Sequence, residues 1–303
     1  MGGKLAQPGT IDNRMQRPEA PSCGWKFIDL AELGGNTGIN YLATVLRIIV
    51  YPTAIAAVLG AVMGVAHAPP LTGKLLDILL QFSPIVVAGI VLAWSVARIH
   101  GRPWRSLIAP DLRIDWRRVA IGGGAQLAIL AGQLALVHAL TGWPWRFSIA
   151  AALPVFALSL VLIPLQAASE ELIFRGYLTQ ALGRILSSRL VIAAIVAVVF
   201  GLLHLSLHGP LTLPYYFVLS LVFSLVSLRD ERLELVIGGH AAMNLFAVFA
   251  ASSGLVGLAA IGAEGGAVLF NWASIAAVLV NGALFYGITR LLVRLFCERR
   301  SPP

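Results

Sequence analysis

Cysteine and charge are scarce in this chain, and each shortage removes a class of protein. Only Cys23 and Cys297 occur in 303 residues, one near each end. That excludes a disulfide framework and a Cys-rich metal centre. Charged residues make up 12% and hydrophobic ones 58%, with a mean hydropathy of +0.84, a balance no ordinary soluble domain of this size shows. Short runs of alternating polarity are also missing, which argues against a membrane β-barrel. No cleavable leader is expected, because the first forty residues are polar and the first apolar stretch is a full span. Met1-Gly2-Gly3 opens like a myristoylation site, but Ala6 stands where Ser or Thr belongs. No long internal repeat of the transporter kind is visible.

What the chain has is apolar runs of spanning length. Eight are expected, over 41–66, 75–97, 119–141, 149–173, 190–207, 215–228, 235–252 and 273–296. The sixth is short and needs its flanks. The fold class is therefore all-α, a polytopic membrane bundle of about eight transmembrane helices. Four stretches organise it: a polar, mobile tail over 1–40, membrane helices over 41–148, a core over 149–251, and a loop or re-entrant piece with the last helix over 252–303. Arg98, Arg102, Arg105, Arg113, Arg117 and Arg118 crowd the loop after the second run, a cytoplasmic signal that places both termini inside. The net charge of +8 thus reads as topology and attraction to anionic lipid, not as a nucleic-acid footprint. Trp104, Trp116, Trp143, Trp145 and Trp272 fall at span boundaries, where aromatic rings anchor. Gly122-Gly123-Gly124 reads as close helix packing rather than a phosphate loop.

Three polar patterns interrupt the apolar runs. Glu170-Glu171-Leu-Ile-Phe-Arg175 ends the fourth, and an ionisable group at bilayer depth costs roughly 2.5–3.5 kcal/mol on insertion scales. Glu171 and Arg175 are four apart and can pair, which leaves Glu170 about 100° around the helix and free to act. Phe200-Gly-Leu-Leu-His204 lies in the fifth run and His240-Ala-Ala-Met-Asn244 in the seventh. Each alone reads as helix packing or interhelical hydrogen bonding. Together they supply a base, two imidazoles and an amide, which peptide hydrolysis can use: an activated water, an oxyanion donor and a proton donor for the amine. Glu170 is the candidate base, His204 would hold the same water, and His240 with Asn244 would face the oxyanion. Glu171 with Arg175 would fix the helix end that presents Glu170. Phe200 is site packing. His67, His100, His138 and His208 read as structural or solvated.

Glu-Glu-x-x-x-Arg, Phe-x-x-x-His and His-x-x-x-Asn, in that order and each in its own span, resemble the CPBP family of intramembrane endopeptidases. That family includes the type II CAAX prenyl proteases and the bacteriocin-processing and Abi proteins. The resemblance covers about 149–251. It implies the same residues in similar roles and a lipidated or membrane-embedded peptide substrate, and the compact size with a polar N-terminal tail suggests a prokaryotic inner membrane. It also allows zinc, for which Glu170, His204 and His240 are the candidate ligands. No His-Glu-x-x-His is present and Asn244 suits an oxyanion better than zinc, so no metal is required on the preferred reading. Two other classes stay open: a catalytically silent binding or immunity protein, and a proton-coupled transporter with Glu170 as relay.

Overall fold

The computed structural model describes residues 26–65, 70–142, 148–205, 211–255 and 272–297. These form nine helices and no strand: α1 (Gly38–Val65), α2 (Pro70–Arg98), α3 (Trp116–Thr141), α4 (Ile149–Glu171), α5 (Thr179–Gly183), α6 (Arg189–Leu203), α7 (Thr212–Asp230), α8 (Glu234–Ser253) and α9 (Trp272–Phe296). A π-helical segment, Leu172–Leu178, joins α4 to α5. Seven helices among the described residues are long and apolar enough to cross a membrane. Their outer faces expose large apolar side chains, such as Ile39, Leu46 and Val58 on α1 and Leu160 and Val161 on α4. Inside, Gln126, Glu171, Arg175 and Ser220 are fully buried. An apolar exterior with charged and amide groups buried among the core side chains is the reverse of what a soluble protein shows. The chain is an integral, multi-pass membrane protein.

Local chemistry sets the helix ends. Asp115 caps α3 by accepting from the Arg117 amide at 3.0 Å, and Gly142 stops it in the left-handed conformation at φ 65°. Ser188 caps α6. That helix is the short one, 15 residues or roughly 22 Å, whereas the sixth apolar run extends to 19 residues as α7. The expectation had these two reversed. The reason lies at His204, where Nδ1 donates to the Phe200 carbonyl at 2.8 Å and competes for the acceptor that would continue the helix.

The division at 148/149 is not a break in packing. α3 lies along α8 at backbone distance: a Cβ on Gly122 would sit 1.9 Å from the Leu235 carbonyl oxygen, and one on Gly238 2.0 Å from that of Val119. Small residues thus set this crossing. α4 runs antiparallel to α8, with the Ser148 amide bonded to the Ser253 carbonyl at 2.9 Å.

The expected mobile tail over 1–40 is corrected in its second half. Phe27–Leu33 forms a 3-10 turn whose Phe27 and Leu30 are completely buried. The Phe27 amide donates to Glu231 at 2.7 Å, and Arg184 pairs with Glu32. Burying two large apolar side chains outweighs the entropy of ordering one short turn. Residues 1–25, the 256–271 stretch expected as a loop, Trp143, Trp145, His67, His208 and Cys23 lie outside the described residues. Trp116 and Trp272 are exposed at the starts of α3 and α9, as interfacial anchors are.

Candidate active site

The apolar sequence of α4 forms a helix that does not end at the charges. It continues through the π segment and α5, giving a span of Ala152–Gly183, 32 residues or roughly 48 Å. Glu170 and Glu171 are thereby carried inside the bundle instead of at its rim. The widened turn begins immediately after them, and π turns within α-helices recur at functional sites.

Glu171 and Arg175 are completely buried and pair at 3.0 Å. Arg175 also donates to the Ser220 hydroxyl at 2.8 Å. Its guanidinium lies 4.6 Å from the centroid of the Phe200 ring and 5.7 Å from that of Phe223, contacts that favour a desolvated cation. Glu171 Oε1 has a second partner, His240 Nδ1, at 2.7 Å. A carboxylate only accepts, so Nδ1 carries the proton and Nε2 is turned away from Glu171. Nε2 faces Glu170 Oε2 at 3.5 Å, a gap longer than a direct hydrogen bond.

The other Glu170 oxygen accepts from Gln166 Nε2 at 2.6 Å. Gln166 Oε1 in turn accepts from Asn244 Nδ2 at 3.0 Å. Because the carboxylate fixes which end of the Gln166 amide faces it, the chain has one direction, Asn244 to Gln166 to Glu170. Asn244 keeps a second amide hydrogen for another acceptor. Gln166, itself buried, is absent from the sequence reading. Its signal was its place four residues before Glu170 on the same face.

Glu170, Glu171, Arg175, His240 and Asn244 are therefore brought together. His204 is not: among the described residues no hydrogen bond joins it to Glu170 or His240. Half-buried, its ring is stacked between Phe200 and Tyr216, with both centroid distances 4.3 Å. Its Nδ1–H serves the Phe200 carbonyl, so Nε2 is the free acceptor. Phe200 is the link between the halves, lying against Arg175 on one side and His204 on the other. Tyr216, Ser220 and Phe223, all from α7, also went unnoticed in the sequence. Nothing in the local pattern of α7 separates them from ordinary interior residues.

Among the described residues no three of His, Cys, Asp and Glu stand together as a ligand set. His204, the third candidate ligand, does not join Glu170 and His240 there.

Residues 150–246 match the Rce1-like family, the type II CAAX prenyl endopeptidases. The Rce1-like segment contains Gln166, Glu170, Glu171, Arg175, Phe200, His204, His240 and Asn244, and it agrees with the extent of the sequence resemblance. A protein of Bacillus subtilis (strain 168), "Uncharacterized protein YyaK", is 32% identical over 162 residues, which cover 50% of this chain and 54% of that protein. The chain thus spans about half the length of the curated relative it matches.

Proposed function

We propose that the protein is an intramembrane endopeptidase that hydrolyses a peptide bond of a lipidated or membrane-embedded substrate with a water activated by Glu170. The observation that carries this is the gap between Glu170 Oε2 and His240 Nε2, two proton-accepting atoms deep in the bundle with their other sides already engaged. A water bridging them loses one proton to the carboxylate as its oxygen attacks the substrate carbonyl. The carbonyl oxygen takes up negative charge and accepts from the remaining Asn244 amide hydrogen. Collapse breaks the C–N bond, and the proton held by Glu170 goes to the leaving amine. Water is consumed, and a carboxylic acid and an amine are formed.

Glu171 and Arg175 act through His240, holding its tautomer and direction as a carboxylate orients a catalytic imidazole. His204, on the open aromatic side, has its Nε2 available to the incoming peptide. The Rce1-like match over 150–246 supports the reaction class. The arginine-rich loop after α2 supports a cytoplasmic position for both termini.

The test is N-terminal proteomics of cells carrying the wild-type chain or Glu170→Gln. The expected result is a defined set of membrane-derived N-termini that disappears in the variant and returns with the wild type. A variant at normal abundance with the full set intact would remove the proposal.

A further inference from the structure

Away from Glu170 and Glu171, α7 and α9 flank a half-open cavity of about 290 Å³ lined by Arg229, Asp230, Tyr286, Arg290, Val293 and Arg294. It lies where both helices end. Three guanidiniums face one carboxylate, and that carboxylate is already paired, Asp230 Oδ1 with Arg118 Nη1. Arg229 is held in place, donating to the Tyr286 carbonyl at 2.7 Å and the Thr289 hydroxyl at 3.2 Å. Arg290 and Arg294 are exposed and have no acidic partner among the described residues. They are four apart on one helix face, where like charges repel unless an anion sits between them. The second oxygen of Asp230 is buried without a hydrogen-bond partner. The cavity therefore offers positive charge and one unfilled acceptor.

One lipid-facing strip leads to it. Leu279, Ala283 and Gly287 on α9 are exposed at successive four-residue intervals and continue into Arg290. A side chain at Gly287 would meet nothing within 4 Å. An acyl chain can lie along this shallow strip with its headgroup among the arginines.

We propose that this cavity binds the headgroup of an anionic phospholipid that carries hydroxyls, of the phosphatidylglycerol type. The phosphodiester bridges Arg290, Arg294 and Arg229, and a glycerol hydroxyl donates to the unfilled Asp230 oxygen. This site is independent of peptide hydrolysis.

Full-length protein in neutral detergent is melted, and examined by native mass spectrometry, with dioleoyl-phosphatidylglycerol, dioleoyl-phosphatidylcholine or inorganic phosphate. The variants are Arg290→Gln/Arg294→Gln and, as a charge-matched control, Arg105→Gln/Arg117→Gln. All four side chains are exposed, so folding is preserved. Phosphatidylglycerol is expected to raise the melting temperature of the wild type and the control and to stay bound in the gas phase. The Arg290/Arg294 pair should bind it about tenfold or more weakly, since each basic residue near the headgroups contributes on the order of 1 kcal/mol. Equal binding by that pair, an equal loss in the control, or equal protection by phosphatidylcholine would overturn the site. Equal protection by inorganic phosphate would overturn its assignment to a lipid.

Discussion

Two buried polar clusters lie along the same helix, and only one of them sets an imidazole between two carboxylates. The first gathers Glu170, Glu171, Arg175, His240, Gln166 and Asn244 between α4 and α8. The second lies further along, where Arg102 donates to the Leu30 carbonyl, the Ser106 hydroxyl and Gln180, and His100 contacts Gly35, Thr44 and Tyr177. Arg102 and His100 are as thoroughly buried as Arg175 and His240. The difference is in the acceptors. Arg102 meets neutral oxygens, and its cluster fastens the 3-10 turn and α1 to the end of the bundle. Arg175 meets a carboxylate, which also holds an imidazole, which faces a second carboxylate. Burial of charge alone does not mark a site; linked acid and base groups with an unfilled side do.

The largest test of that contrast is turnover. Glu170→Gln should lower the rate by up to about 10⁴-fold, the upper range for a positioned general base, with the melting temperature kept because the amide can still bond Gln166. Asn244→Ala should cost about 10²–10³ in rate, the usual loss of one oxyanion donor. Arg102→Gln should leave turnover per folded molecule unchanged. Comparable rate losses from Arg102→Gln and Glu170→Gln, at matched folded protein, would erase the distinction between the clusters.

How far the sequence reveals each cluster follows from the same physics. Glu170, Glu171 and Arg175 stand out because charge in an apolar run is costly, and the helical character, the spans and the Gly122 packing follow from patterns that act within one or two turns. Gln166 does not stand out, since a neutral amide in a membrane helix reads as interhelical glue. The end of α6 is hidden as well, because apolar residues continue to Leu205 while the His204 side chain captures the carbonyl. The packing of Phe27 and Leu30 depends on partners far along the chain, such as Glu231, which no local pattern can report.

Stability should separate the clusters next. Arg175→Met leaves Glu171 buried without its cation, a change worth about 3–5 kcal/mol. Arg102→Met removes a charge and orphans only neutral acceptors, about 1–3 kcal/mol. Denaturation of both variants in the same detergent should rank Arg175→Met as the weaker protein, and the reverse order would mean that Glu171 is stabilised by His240 alone.

The smallest effect is on pH. His100, in the loop beyond α2, has its pKa held below the ordinary imidazole value, first by burial and then by the nearby Arg102 charge, with the Gly35 carbonyl opposing. A base with a lowered pKa takes its proton less readily folded than unfolded, so below about pH 6.5, the ordinary value, the unfolded chain binds more protons. Stability from this group is therefore complete above that pH and falls as the pH drops toward the folded-state pKa. The melting temperature should decline between pH 7.5 and 5, and His100→Gln, which keeps an amide for Thr44 and Tyr177, should flatten part of the decline. An unchanged acid slope in the variant would mean that His100 does not set the pH response.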